Sequence, residues 1–217
     1  HLDVLWPAII EQVLLRTEID LSVLFYDVTA FIAHGRYAES DIIDFGFAHN
    51  TPSNKRKFKL GLNATADGNL PWLFQRWSGS TADQATVEEN MAALATWLHH
   101  HGYATSDSLV VADRAMMNAE IALGYEQHGL HHLTVLKASS QEQKALLTGW
   151  DDEQMEALAL EAGSSPQYWG RMGHITFTHE GQSVRNRALV VLSGPLRDQW
   201  RQSRQARIDA LLTELEM

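Results

Sequence analysis

The stretch that decides the fold is residues 21–29, LSVLFYDVT, an apolar run with a single carboxylate, Asp27. Its short length and its β-branched and aromatic residues predict a buried β-strand. A second run of the same design, SLVVADR at residues 108–114, carries Asp113. Because a carboxylate in a buried strand is costly unless something pairs with it, each aspartate needs a partner.

A divalent metal ion is one such partner, since Mg²⁺ and similar hard cations take oxygen ligands. Two strand-borne aspartates that share metal ions indicate phosphoryl-transfer chemistry on nucleic acid. The structural alternative is that Asp27 and Asp113 only cap strand ends or accept hydrogen bonds from nearby backbone N–H groups. The residues alone leave both alternatives open.

Composition limits the class of protein. The 217 residues, of which 45% are hydrophobic, suffice for one large domain or for a domain with a sizeable insertion. The chain contains no cysteine, which excludes disulfides, thiolate zinc sites and a cysteine nucleophile. The first residues do not read as a secretory signal, and no run approaches the roughly 18 apolar residues of a membrane helix. We therefore expect a cytoplasmic protein without membrane segments.

Charge is unevenly distributed. The formal net charge of −10 argues against nonspecific binding to a polyanion. Two stretches are nevertheless locally basic, NKRKFK at residues 54–59 and the arginine-rich residues 185–207. These stretches are the candidate contacts with nucleic acid.

The first part of the chain alternates between predicted strands and helices. After the first aspartate strand, the pattern predicts a hairpin of strands 57–65 and 70–77, helices 84–101 and 116–128 around the second aspartate strand, and a strand 132–137. This order predicts an α/β fold, a ribonuclease-H-like mixed sheet flanked by helices.

The character of the sequence changes after about residue 138. Residues 141–162 are rich in Glu, Gln, Ala and Leu and are predicted to be helical. Residues 174–179 and 188–192 are predicted to be paired strands around a Glu180-Gly181 turn, and residues 196–216 to be a final helix. We therefore expect a core domain, 1–138, and a smaller α+β insertion region, 139–217.

Five segments in this order resemble DDE transposases of bacterial insertion sequences. They are YDVT at 26–29, GF at 46–47 with KLGLN at 59–63, DGNLP at 67–71, GSTADQAT at 79–86 and VVADRA at 110–115. The resemblance covers roughly residues 18–138. It implies a ribonuclease-H-like core that performs metal-dependent DNA cleavage and strand transfer in transposition.

The resemblance also implies roles for individual residues. Asp27 and Asp113 would be the catalytic metal ligands for Mg²⁺ or Mn²⁺, with transposon-end and target DNA as partners and a homodimer as the active form. Residues 48–52, AHNTP, lack two cations that many relatives carry. Lys55, Arg56 and Lys57 would replace them, and Arg114 would contact phosphate or pair with a surface acid.

The third acid of this family is a glutamate within the pattern Tyr-x-x-Arg-x-x-x-Glu. This sequence does not contain that pattern. The interpretation is a fragment, or a protein truncated before its last catalytic helix, that is catalytically impaired or inactive alone. One alternative is a metal-dependent nuclease with Glu39, Asp41 or Asp44 as third ligand. The other is a degenerate, non-catalytic transposase that acts as a DNA- or protein-interaction module.

Other polar and aromatic residues have less specific interpretations. Asp83 is predicted to be a helix N-cap. The histidines at 99–101 and 128–132 lack the spacing of a zinc motif. The arginines of the final helix could follow DNA phosphates, but a solvated face balanced by acids explains them as well. Trp200, with two other tryptophans of the second part, is expected to be a core or interface anchor, and a base-stacking platform only if exposed.

Overall fold

The computed structural model describes residues 2–37, 39–48, 51–113, 116–136, 141–148, 155–158 and 167–215. The chain divides into two compact units. The first comprises His1–Lys137 with Phe177–Val184, and the second comprises Ala138–Thr176 with Arg185–Met217. That these units correspond to a core domain and an insertion region stays a prediction.

The first unit contains three helices and six strands among its described residues. They are α1 (Leu2–Arg16), β1 (Val23–Ile32), β2 (Asp44–Phe45), β3 (Arg56–Thr65), β4 (Pro71–Ser78), α2 (Asp83–His100), β5 (Leu109–Ala112), α3 (Ala119–Gln127) and β6 (His131–Thr134). A short 3₁₀ turn, Thr105–Asp107, precedes β5.

These six strands form one mixed sheet in the order β2-β3-β1-β5-β6, with β4 also paired to β3. The strands β1, β3 and β4 are antiparallel neighbours, whereas β1, β5 and β6 are parallel. The helix α2 connects β4 to β5, and α3 connects β5 to β6, because parallel strands need a crossover connection. The predicted α/β fold, a mixed sheet flanked by helices, is confirmed.

The hydrophobic core lies on one face of this sheet. Leu24, Tyr26 and Val110 point from β1 and β5 into a cluster with Met91 of α2 and Ile121 of α3. Because successive strand residues face opposite sides, their neighbours along β1 face away from the core. Phe25 is 44% exposed on that second side, so β1 is buried on one face only.

Two glycines of the resembling segments, Gly46 and Gly79, are required by a close backbone contact. A Cβ on Gly46 would overlap the carbonyl group of Gly79, and a Cβ on Gly79 would lie 2.5 Å from the carbonyl oxygen of Asp44. The amide of Gly79 also donates a hydrogen bond to the carbonyl of Ile42, 3.2 Å away. The two backbone segments approach each other so closely that a side chain does not fit at either position. This packing is enough to explain glycine at both.

The second unit contains α4 (Gln141–Leu147), β7 (Glu156–Leu158), most of β8 (Tyr168–His179) and β9 (Gln182–Ser193), and α5 (Gly194–Leu215). Its three strands form an antiparallel sheet in the order β7-β8-β9. The predicted turn between β8 and β9 is confirmed, since Glu180 and Gly181 both have positive φ, 48° and 80°. This combination is typical of two-residue hairpin loops.

The prediction of a helix over residues 141–162 is wrong in part. Of the described residues in this range, Gln141–Leu147 is helical, and Glu156–Leu158 is a strand whose Ala157 pairs with Trp169 of β8. Residues 149–154 and 159–166 lie outside the described residues. The local preference of Glu, Ala and Leu for helix is overridden because β8 offers an edge of backbone donors and acceptors.

Among the residues that the structure describes, the helices lack the combination of length and apolar character that a membrane span requires.

Candidate functional site

The structure brings the two predicted aspartates together. The strands β1 and β5 are parallel, with Tyr26 opposite Ala112. The next residue on each chain segment is Asp27 and Asp113, respectively, so the register sets the two aspartates side by side. Neighbouring strands are about 4.8 Å apart, and Asp113 directly follows the end of β5.

Both carboxylates are exposed, in contrast to the expectation that these strands bury them. The alternation of β1 explains the difference, because Leu24 and Tyr26 occupy the buried face and leave Phe25 and Asp27 on the other. An exposed carboxylate keeps its hydration and needs no buried partner. The pair is thus accessible to an ion or a substrate from solvent.

Tyr26, the buried residue next to Asp27, anchors the strand that carries this aspartate. The hydroxyl of Tyr26 donates to the carbonyl of Thr86, 3.3 Å away, and burial raises the pKa of Tyr26. On β3, Gly61 lies so close to Tyr26 and Trp77 that a Cβ would overlap the Trp77 ring. The strand that carries Asp27 is therefore held on its buried face by close packing.

A third acid does not join the pair within the part of the chain that the structure describes. No group of three or more His, Cys, Asp or Glu residues there is arranged to hold a metal ion. Asp44 pairs with Lys57 on β3, whereas Asp27 lies opposite Leu62, five residues further along. At about 3.4 Å per residue, Asp44 is at least about 17 Å from Asp27. Asp44 is thus unsuited to share metal ions with Asp27, and Glu39 and Asp41 form no such group either.

The structure corrects the expected role of Lys57, which is fully buried. Its ammonium group donates hydrogen bonds to the carbonyls of Gly46 (2.7 Å) and Pro52 (2.9 Å), and lies 3.4 Å from the hydroxyl of Thr51. These oxygen atoms accept the hydrogen bonds of the buried ammonium group. Lys57 thus links Gly46 to Pro52 and does not reach a phosphate at the surface.

The neighbouring cations differ from Lys57. Lys55 is exposed and available to a polyanion. Arg56 is half-buried; its guanidinium group donates to the carbonyl of Tyr37, 3.1 Å away, and lies 5.1 Å from the ring centre of Phe45. Arg114 lies outside the described residues. The role of Lys55, Arg56 and Arg114 in binding nucleic acid stays a prediction.

Asp83 is structural, but not as the predicted N-cap. The N-cap of α2 is Ala82, which has no side-chain capping bond, and Asp83 is the first helical residue. Its carboxylate lies 2.7 Å from the ammonium group of Lys59, a side chain that is 3% exposed. Lys59 also donates to the carbonyl of Thr81 at 2.6 Å. Alternation along β3 could have indicated an inward Lys59, but its partner comes from a distant helix.

The histidines serve in aromatic packing where the structure describes their contacts. The ring of His101 stacks on Trp97 with 3.8 Å between centroids, and His132 stacks on Tyr125 at 4.7 Å. Burial lowers the pKa of His132, and the neighbouring His131 lowers it further. In the described ranges these rings do not assemble into a zinc site.

Solved structures similar to this chain include three transposase complexes. One is the piggyBac transposase synaptic complex with hairpin DNA, at 12% identity and a TM-score of 0.47, covering 89% of this chain and 37% of that one. Another is the Mos1 transposase paired-end complex with left transposon end, at 11% identity, a TM-score of 0.37 and coverages of 67% and 53%. The third is the Mos1 mariner paired-end complex with Mn, at 11% identity, a TM-score of 0.36 and coverages of 65% and 45%.

This chain thus spans between 37% and 53% of the length of these three transposase chains. A comparison with protein-family models finds no match, and neither does a comparison with curated proteins.

Proposed function

We propose that this chain carries the catalytic region of a DDE-type transposase, which cleaves DNA and joins strands with the help of divalent metal ions. The observation that carries the proposal is the register of β1 and β5, which sets Asp27 beside Asp113 on an exposed face. The order of the five resembling segments supports the same assignment and adds the bacterial insertion-sequence group.

The donor chemistry of the pair fits Mg²⁺ or Mn²⁺, because carboxylate oxygens are the ligands that such hard cations prefer. Asp27 and Asp113 would hold the metal, which when bound activates water or a DNA 3′-hydroxyl and stabilises the leaving oxygen. The backbone of β1 and β5 fixes the spacing of the two carboxylates. We propose that a further ligand from outside the described residues completes the site.

The partners follow from this assignment. The substrate would be the DNA of transposon ends and target, with Lys55, Arg56 and Arg114 as candidate phosphate contacts near the core. The active form would be a homodimer, because two transposon ends must be paired before they are joined. The expected location is the cytoplasm.

The test is Mn²⁺ binding measured by isothermal titration calorimetry on the full chain and on an Asp27→Asn, Asp113→Asn double variant. The expected result is binding that disappears in the double variant. The matched control is Asp44→Asn, an exposed aspartate on the same sheet whose loss should leave binding unchanged.

Three outcomes would contradict the proposal. Equal binding by the unchanged chain and the double variant would mean that the ion sits elsewhere. No binding by either protein would leave Asp27 and Asp113 structural, and would favour a non-catalytic interaction module. Binding that depends on Asp44 instead would favour a nuclease with a different acid set.

A further inference from the structure

The second unit has a groove that the catalytic proposal does not use. It lies between the end of β9 and the first turns of α5, with a volume of about 580 Å³. Its lining includes Val191, Leu196, Trp200, Arg197, Arg201 and Arg204. The groove therefore combines an apolar floor with three guanidinium groups.

The three arginines lie on one face of α5. Their spacing of four and then three residues repeats the helical period, so the side chains follow one another along about 10 Å of helix. The guanidinium group of Arg197 also lies 6.0 Å from the ring centre of Trp169, at cation–π distance. A row of cations at this spacing suits a ligand with repeated negative charges.

Trp200 sits among these arginines and is 71% exposed. The described residues from 197 to 214 of α5 are all exposed, so the indole is not an anchor in the core of this chain. An indole presents a flat π-face on which a nucleobase can stack, whichever base it is. Trp200 is thus exposed, which is what the sequence-based prediction requires of a base-stacking platform.

The local charge agrees with a polyanionic ligand. Residues 185–207 contain six arginines and a single acid, Asp198, in a chain whose net charge is −10. The carboxylate of Asp198 lies 3.9 Å from Arg197 and 4.0 Å from Arg201, and all three side chains are exposed. These distances exceed those of a hydrogen bond, so Asp198 leaves the arginines available to phosphate.

We propose that this groove binds single-stranded DNA, with Arg197, Arg201 and Arg204 on the phosphates and Trp200 stacked on an unpaired base. The proposal rests on the proposed function in that it takes DNA as the substrate. It adds a binding surface in the second unit that is independent of the acid pair and of metal ions.

The experiment measures fluorescence anisotropy of a short labelled oligothymidine against the full chain in EDTA, with the matching duplex as a second probe. We expect tighter binding of the single strand. Trp200→Ala should weaken it about tenfold, whereas Trp200→Phe keeps a ring and should retain most of the affinity. The triple variant Arg197→Ala, Arg201→Ala, Arg204→Ala should lower the slope of log affinity against log salt by about 2.

Two control variants separate this surface from general charge effects. Arg16→Ala removes one exposed cation from α1, and Gln202→Ala changes α5 away from the arginine row; both should bind like the unchanged chain. Helix content by circular dichroism confirms that the variants fold. The pair Trp200→Ala and Trp200→Phe keeps the test decisive even if the triple variant loses structure.

Unchanged affinity in both Trp200→Ala and the triple variant would overturn the proposal. Equal or tighter binding of the duplex with no effect of Trp200→Ala would overturn it as well. The Asp27→Asn, Asp113→Asn variant should bind the oligonucleotide normally, and the groove variants should bind Mn²⁺ normally. Failure of this inference is therefore distinguishable from failure of the catalytic proposal.

Discussion

Replacing Lys57 by methionine tests whether this buried cation is structural. The methionine retains an apolar stem but leaves the carbonyls of Gly46 and Pro52 without the ammonium donor that lies 2.7 and 2.9 Å away. A buried polar group left unsatisfied costs about 1–3 kcal/mol. Because Gly46 is half-buried and Pro52 is exposed, each carbonyl should cost toward the lower end of this range, about 3 kcal/mol of the free energy of unfolding for the two together.

The assay is urea denaturation followed by tryptophan fluorescence, with thermal unfolding as a second readout. For a chain of this size, a loss of that magnitude corresponds to a Tm lower by roughly 6–12 °C. Hydrogen exchange should also become faster in peptides that contain Gly46 and Pro52, because their carbonyls lose a common donor.

The matched control is Lys55→Met, the same substitution two residues away on an exposed side chain. It should change the free energy of unfolding by less than about 0.5 kcal/mol. If Lys57→Met proved as stable as Lys55→Met, the hydrogen bonds of Lys57 would not stabilise the fold. A loss of DNA affinity in Lys57→Met at unchanged stability would restore the phosphate-binding role that the sequence suggested.

Two further changes probe the packing around the candidate site. Gly61→Ala places a methyl group against the Trp77 ring and 2.8 Å from the Tyr26 hydroxyl, and should cost about 1–3 kcal/mol in urea denaturation; an unchanged midpoint would mean that the sheet yields without cost. His132→Phe keeps a ring against Tyr125 but cannot titrate. Because the folded state lowers the pKa of His132 below 6.5, the unfolded state binds the proton more readily, so stability should fall as pH drops below about 6.5 in the unchanged chain. The unfolding midpoints of the two proteins, measured from neutral to acidic pH, should diverge only on the acidic side; parallel curves would refute this.

Most elements of the first unit were predictable because they are marked by local signals, whereas β2 was not predicted and forms only by pairing with β3. The run around Asp27 carries a β-strand pattern, and Asn118 caps α3 by accepting a hydrogen bond from the amide of Ile121 at 2.8 Å. Signals of this kind depend on residues a few positions apart. The strand β7 shows the limit of such signals, since its sequence favours helix and only the edge of β8 makes it a strand.

The candidate sites were predictable to different extents. The sequence indicated Asp27 and Asp113 as a pair by their common strand design and family resemblance. It did not separate exposed Lys55 from buried Lys57, because both lie in one basic stretch; Lys55 precedes β3, whereas Lys57 lies in β3, where the carbonyls of Gly46 and Pro52 accept its hydrogen bonds. Nor did it decide between core and surface for Trp200, which depends on whether another element packs on α5.

The sequence by itself determined the type and order of most elements of the first unit, since hydrophobic period, turn residues and caps act over a few residues. The tertiary structure alone decided the distances between elements far apart in the chain. The register of β1 and β5 sets Asp27 beside Asp113, although 85 intervening residues separate them, and the same sheet removes Asp44 from the pair. The tertiary structure also determines which polar side chains are buried, because burial depends on what packs against a side chain in space.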